Sequence, residues 1–163
     1  KSPESLAGYQ NLFVGYVQHR DEIAAWGVLS QASGQADAPP EFLMGLAELY
    51  ANFGAQFPTR RDEAKEQEAK LLIRAAGAED LNPALRLILA EQLTRSGQSE
   101  QAAQIYTQIL KNPPPIPGIK ERVHAKLSEI YLKSENLDKA MEQLQALLKE
   151  DPFNPPAHYF LGE

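Results

Sequence analysis

The sequence predicts an all-α protein of stacked antiparallel helix pairs, because one hairpin pattern is written twice in the second half of the chain. The first copy reads Arg86-x2-Leu89-Ala90-x2-Leu93, then Ala102-x3-Tyr106, then Pro114. The second copy begins 38 residues later and reads His124-x2-Leu127-Ser128-x2-Tyr131, then Ala140-x3-Leu144, then Pro152. A third start, His158-x2-Leu161-Gly162, follows after 34 residues. Self-similarity at such a period is the signature of a repeat architecture.

Each part of this pattern has a packing role. The leucines, small residues and aromatic residues of the first half fall on one apolar stripe of a first helix. Ala102 and Ala140 are small where the second helix must approach the first closely. Pro114 and Pro152 cannot continue a helix, so each of them ends its unit.

Residues 83–163, which carry the pattern, resemble the tetratricopeptide repeat, whose pattern is W-x2-L-G-x2-Y, then A-x3-F, then P over about 34 residues. Arg86, His124 and His158 stand where that pattern has tryptophan. The resemblance implies a right-handed superhelical solenoid with a concave face made mainly by the first helix of each pair. It also implies that a peptide or helix of a partner protein binds on that face. It does not identify the partner, because function lies in surface residues and not in the fold.

The N-terminal hairpin follows the pattern less closely, as Tyr9-x2-Leu12-Phe13-x2-Tyr16 and then Ala25-x3-Leu29-x2-Ala32. Phe13 occupies a position that is normally small. We interpret this hairpin as a divergent repeat. The alternative is an unrelated helical pair that caps the array, with Asp21 starting its second helix.

The next hairpin carries an insertion. Its first helix reads Leu43-x2-Leu46-Ala47-x2-Tyr50, but its second half, Ala69-x3-Ile73, comes ten residues late. We expect the extra residues to fall around 53–65 and to lengthen the second helix, which would begin at Arg60 with Thr59 as its cap.

The predicted organisation is one array over residues 1–163, and its approximate repeats are 6–39 (divergent), 40–82 (with the insertion), 83–120, 121–154 and 155–163 (partial). Repeat arrays need a polar cap at each end. Because Glu163 falls inside a repeat, we expect the natural protein to continue.

Composition narrows the possible functions. The 163 residues carry a net charge of -6 without a basic stripe of interleaved aromatic residues, so we expect no nucleic-acid partner. The lack of cysteine excludes disulfides, thiolate metal sites and a cysteine nucleophile, and it suits either the cytoplasm or the periplasm. No run of 18 apolar residues exists, so we expect no membrane span.

The sequence contains no recognisable catalytic or metal-binding pattern. His124 and His158 share one repeat position, which indicates packing rather than ligation. There is no His-Glu-x2-His helix, phosphate-binding glycine loop or Gly-x-Ser-x-Gly turn. We therefore predict a non-enzymatic chain with no metal site and no cofactor. The predicted aromatic core residues are Tyr16, Tyr50, Tyr106 and Tyr131, and the position of Trp26 stays open.

Residues between the packing stripes should face the concave groove, and they are Met44, Glu48, Asn52, Leu87, Glu91, Thr94, Arg95, Arg122, Ala125, Lys126, Glu129, Lys133 and Tyr159. One subtype of the family binds the C-terminal carboxylate of heat-shock chaperones through lysine and asparagine at such positions. Here the matching sites hold Leu87 with Glu91, and Ala125 with Glu129, which disfavours that ligand. The mixed charges fit a partner segment that carries both charges and some apolar anchors.

Two alternatives to groove binding follow from the sequence. The chain could form a homo-oligomer through its repeat ends, above all through the helix from Pro156 that carries Tyr159 and Phe160. It could also be a regulatory array attached to a catalytic domain outside this sequence.

Overall fold

A computed structural model describes residues 5–78 and 81–162. These residues form helices and no strand, and the α-helices are α1 (Leu6–Gln18), α2 (Glu22–Ser33), α3 (Pro40–Gln56), α4 (Arg61–Ala76), α5 (Pro83–Arg95), α6 (Ser99–Lys111), α7 (Ile119–Lys133), α8 (Leu137–Glu150) and α9 (Pro155–Leu161). A short 3-10 helix, Pro58–Arg60, precedes α4. The predicted all-α class of the helical-solenoid type is confirmed, while the hand of the superhelix stays a prediction.

The chain divides into two compact units, which are residues 1–81 with 95–98 and residues 82–94 with 99–163. In the first unit α1 packs on α2 and α3, α2 packs on α3, and α3 packs on α4. In the second unit α6 packs on α7, α7 on α8, and α8 on α9. One continuous array over the whole chain stays a prediction.

The small residues of the hairpins are buried as predicted. Ala25 and Ala102 are 0% exposed and Ala140 is 1% exposed. The predicted aromatic core is half right, because Tyr50 and Tyr106 are buried, whereas Tyr16 and Tyr131 are only half-buried.

The N-terminal hairpin buries the face of α1 that carries Tyr9 and Phe13. Tyr9 meets Phe42 of α3 edge-on, with 6.1 Å between ring centroids, and Phe13 is 2% exposed. Leu12, which the pattern assigns to the packing stripe, is 44% exposed. The reason is that α2 and α3 cover only the other face of the helix. Asp21 caps α2 by accepting a hydrogen bond from the backbone N–H of Ala24 at 3.0 Å.

The predicted cap of α4 is wrong. This helix begins at Arg61, and no side chain caps its first N–H groups. The 3-10 helix that starts at Pro58 separates Thr59 from α4, and the Thr59 hydroxyl donates instead to the carboxylate of Glu22 at 3.1 Å. Asp62 and Glu63 in the first turn place negative charge at the positive end of the helix dipole.

The insertion lengthens both helices of its hairpin and moves their close contact. α3 has 17 residues and α4 has 16, against 13 in α1 and 12 in α2, the corresponding helices of the N-terminal hairpin. Ala69, predicted to be the contact residue, is only half-buried, and Ile73 is 42% exposed. A Cβ atom built on Gly54 would instead lie 3.3 Å from the Cβ atom of Ala64, which is 1% exposed. Each helix is about one turn longer, and the close contact between small residues therefore lies at Gly54 and Ala64 instead of at Ala69.

An aromatic cluster joins the inserted segment to α2. Trp26 meets Tyr50 and Phe53 edge-on, with ring centroids 5.3 Å and 5.1 Å apart. The guanidinium carbon of Arg60 lies 3.8 Å from the centroid of the Trp26 ring, and its Nε donates to Glu63 at 3.1 Å. A cation over an indole face is attracted to the ring quadrupole. Trp26 therefore packs against α3 and the start of α4.

Candidate functional site

A groove of about 500 Å³ lies between α7, α8 and α9 of the second unit, and it is lined by Ala125, Ser128, Glu129, Leu132, Lys133, Leu144, Leu147, Asn154, Pro156 and Phe160. We call it the α7–α9 groove. Ligand-binding clefts in proteins commonly have this size, with an apolar lining and a few placed polar groups.

The wall from α7 follows from helical periodicity. Ala125, Ser128 and Leu132 recur at intervals of three and four residues, which places them on one face of the helix. Gly118, with a φ angle of 71°, starts α7 after the proline-rich loop, where the left-handed backbone favours glycine.

The floor of the groove comes from α8 and α9. Leu144 and Leu147 are each 3% exposed and form an apolar cluster with Ala157, with Leu148 and Leu161 packed around it. Asn154 fixes the start of α9, because its Oδ1 accepts the backbone N–H of Ala157 at 3.1 Å.

Two charged residues of α7, Glu129 and Lys133, form the rim of the groove, and Lys126 lies beside them through its bond to Glu129. Lys133 Nζ donates to Glu129 at 2.8 Å, and Lys126 Nζ donates to the same carboxylate at 3.2 Å. The hydrogen bonds from Lys133 and then Lys126 lower the pKa of the Glu129 carboxyl below its ordinary value of 4.5. The carboxylate is therefore ionised at neutral pH, and two cations face one anion.

The structure brings together part of the predicted surface. Ala125, Glu129 and Lys133 line the groove, and Lys126 is bonded to Glu129. On α9, Tyr159 is 80% exposed and packs edge-on against Phe160 at 5.4 Å between ring centroids. Two further predicted residues, Glu91 of α5 and Arg122 of α7, form an ion pair with each other. Whether these residues contact a partner stays a prediction.

Two predicted groove residues are corrected by their burial. Met44 is 4% exposed and Leu87 is 8% exposed, so neither side chain presents a surface to a ligand. Met44 is buried because α3 packs on α1, α2 and α4, which cover several of its faces. For Leu87, sequence spacing does not distinguish a second buried face from an exposed groove face. Glu48, Asn52 and Arg95 are exposed and belong to the first unit, whereas Thr94 is half-buried in the second.

Several lining residues were missed at the sequence level. Leu144 and Leu147 carry a core pattern and are buried, and nothing local reveals that a groove lies above them. The signal for Asn154 is clearer, since asparagine before two prolines is typical of a helix start.

A second, more polar groove of about 670 Å³ lies in the same unit, and it is lined by Ser99, Glu100, Ala103, Gln104, Thr107, Gln108, Lys111, Ile130, Tyr131, Ser134, Asn136 and Lys139. The Lys139 ammonium lies 5.4 Å from the centroid of the Tyr131 ring, a cation–π contact across this groove.

Clustered metal ligands would indicate a metal-binding function, and long apolar helices would indicate a membrane protein. Among residues 5–78 and 81–162, no group of three or more histidine or acidic side chains is placed to hold a metal ion. No helix in that part of the chain is long and apolar enough to cross a bilayer.

Neither a protein-family model nor a curated protein matches the sequence significantly. The fold is similar to solved structures. One, described as MamA MSR-1 C2, superposes with a TM-score of 0.57 at 16% identity, over 95% of this chain and 82% of that chain. A thermophilic TPR protein of Thermus thermophilus superposes with a TM-score of 0.48 at 18% identity, over 98% of this chain and 81% of that chain. The repeated sequence pattern, the paired helices and the superposition on MamA together identify this chain as a helical-repeat protein of tetratricopeptide-like fold.

Proposed function

We propose that the chain is a non-catalytic protein-interaction module that holds a segment of a partner protein in the α7–α9 groove. The observation that carries the proposal is the composition of this groove. An apolar floor lies beside a charged rim, and Phe160 on the α9 side is 54% exposed. Seating an apolar side chain of a partner there removes apolar surface from water, which favours association.

The shape of the site suits a peptide segment. Its walls are helices, and their backbone N–H and C=O groups are already used within the helices. Affinity therefore has to come from side chains of the partner that enter the groove, as in helix-in-groove recognition. The hydroxyl of Ser128 is likewise occupied, because it donates to the carbonyl of Ala125 at 2.8 Å.

The test is selection of short peptides from a random displayed library on the intact chain, followed by titration of the synthesised peptides by fluorescence anisotropy. Ala125→Arg places a long side chain in the groove at an exposed helical position. Met141→Arg is the matched control, because Met141 is 49% exposed on α8 and lines neither groove.

We expect the selected peptides to bind the wild type and M141R alike, and to lose about tenfold or more in affinity on A125R, which corresponds to roughly 1.4 kcal/mol. Circular dichroism verifies that both variants are folded. Binding that A125R leaves unchanged would show that the peptides dock elsewhere, and the proposed groove function would be wrong.

Self-association is the second candidate, because exposed apolar side chains concentrate toward the C-terminal end. These side chains are Leu137 at 62%, Met141 at 49%, Phe153 at 89% and Tyr159 at 80% exposure. Light-scattering mass measured against concentration separates the two functions. A constant monomer mass supports the groove module, whereas a rising mass that Tyr159→Ser suppresses supports assembly between copies.

A further inference from the structure

We propose that the α7–α9 groove selects partner segments in which a carboxylate lies beside a large apolar side chain. This inference rests on the function proposed above and specifies its ligand. It follows from which polar and charged groups at the groove already have partners within the protein, and which charges are left without a balancing charge.

The centre of the groove offers only apolar contact. Its carbon-rich surface comes mainly from Leu132, Pro156 and Phe160, and the buried side chains of Leu144 and Leu147 lie beneath it. A volume of about 500 Å³ leaves room for at least one leucine or aromatic side chain with its adjoining backbone. An apolar anchor is therefore the side chain that this part of the site recognises.

The uncharged polar groups of the lining are engaged within the protein. Asn154 uses both ends of its amide, since Oδ1 caps α9 and Nδ2 donates to Asp151 Oδ2 at 3.0 Å. Asp151 is thereby turned toward its own loop, where its Oδ1 also accepts the backbone N–H of Phe153 at 3.3 Å. The uncharged groups at the α9 end therefore need no hydrogen bond from a partner, while the Asp151 carboxylate, bonded only to neutral N–H groups, keeps its negative charge there.

The α7 rim does favour a charged group of a partner, because the positive and negative charges on the rim are unequal in number. Lys126 and Lys133 share the single carboxylate of Glu129. Elsewhere in the second unit Lys120 pairs with Glu150, one cation to one anion. Glu129 alone would repel an acidic partner, but the two ammonium groups leave one positive charge in excess beside the groove. A carboxylate of the partner, next to its anchor residue, would pair with this excess positive charge.

The closing experiment uses three short peptides with acetylated and amidated ends, so that the termini carry no charge. The first has a central leucine flanked by aspartates, the second the same leucine flanked by lysines, and the third an alanine flanked by aspartates. Each is titrated against the intact chain, the groove variant Ala125→Arg, the double variant Lys126→Glu/Lys133→Glu, and the control Lys149→Glu. The exposed side chain of Lys149 on α8 lies outside the groove.

We expect the acidic leucine peptide to bind about tenfold more tightly than either of the others, with a preference that weakens in high salt. The double variant should prefer the basic leucine peptide, and K149E should behave as the wild type. Equal binding of the acidic and basic leucine peptides, with both lost in A125R, would overturn the inferred selectivity and leave the groove function standing. Absence of binding by all three, or binding that A125R does not affect, would count against the groove function itself.

Discussion

Leu6 of α1 lies directly over Gly45 of α3, so closely that a Cβ atom on Gly45 would stand 2.2 Å from Cδ2 of Leu6. α1 and α3 therefore come into close contact at Gly45, where α3 carries no side chain. The contact involves a methyl carbon at the end of the Leu6 side chain, so an added Cβ atom would displace side-chain atoms and not backbone. Glycine is otherwise unfavourable in the middle of a helix.

Gly45→Ala should gain less stability than the roughly 0.5–1 kcal/mol that alanine adds over glycine in a helix, because the side chain of Leu6 has to move aside. Gly15→Ala in α1 is the matched control, because a Cβ atom there meets nothing within 4 Å. That variant should be stabilised. Urea denaturation measures both, and equal stabilisation of G45A and G15A would show that Leu6 moves aside without cost.

Ala102 and Ala140 define the close contacts of two other hairpins, and each is at most 1% exposed. Replacing either with leucine should overpack its hairpin and lower the free energy of unfolding by about 1–3 kcal/mol. Ala125→Leu is the control, because the same substitution falls on an exposed helical position. A thermal melt with no loss at Ala102 and Ala140 would mean that these helices separate easily.

Glu68 should make stability fall as pH rises. Its side chain is half-buried on α4, and burial raises the pKa of its carboxyl above the ordinary 4.5, with Arg95 and Lys65 opposing this shift. A group whose folded pKa is raised stabilises the fold below the unfolded pKa and loses that contribution as pH rises through the folded pKa.

Glu68→Gln removes this titration. We expect the variant to be more stable than the wild type at neutral pH and to show a smaller loss of stability between about pH 4 and neutrality. Glu66→Gln is the control on the exposed face, where Glu66 pairs with Lys70 at 2.6 Å. Denaturant midpoints measured across this pH range test the prediction. If the midpoints of E68Q and the wild type change with pH in parallel, the prediction is contradicted.

Arg60 holds the start of the inserted segment against Trp26. Arg60→Ala should lower the free energy of unfolding by about 1 kcal/mol, through loss of the cation–π contact and its supporting ion pair. Trp26 is the only tryptophan of the chain, so its fluorescence reports the change directly. Thr59→Val, which removes only the bond to Glu22, should leave the emission spectrum unchanged. An unaltered spectrum in R60A would show that the guanidinium does not rest on the ring in solution.

Asn154→Ala should loosen α9 without unfolding the rest of the second unit. The cap contributes about 1 kcal/mol, and a helix of only seven residues is marginal without it. Hydrogen exchange of residues 157–161 should accelerate, and peptide affinity for the α7–α9 groove should fall with it. Asn136→Ala, which uncaps α8, should instead lower the global stability. Unchanged protection of α9 in N154A would mean that packing alone holds it.

Local sequence pattern by itself determined much of this protein. The all-α class, the succession of helical hairpins and the buried small residues Ala102 and Ala140 follow from periodicity and spacing. Both are properties of one helix or one turn. The same holds for the start of α8 at Asn136, whose side chain accepts the N–H of Lys139 at 3.3 Å. These features depend on residues a few positions apart.

The tertiary structure alone decided which faces are covered and which stay open. Met44 and Leu87 have the spacing of groove residues, but neighbouring packing buries them. The move of the close contact to Gly54 and Ala64, and the groove between α7, α8 and α9, arise where separate helices meet. Burial and cleft formation depend on helices distant in sequence, so the pattern within one helix cannot specify them.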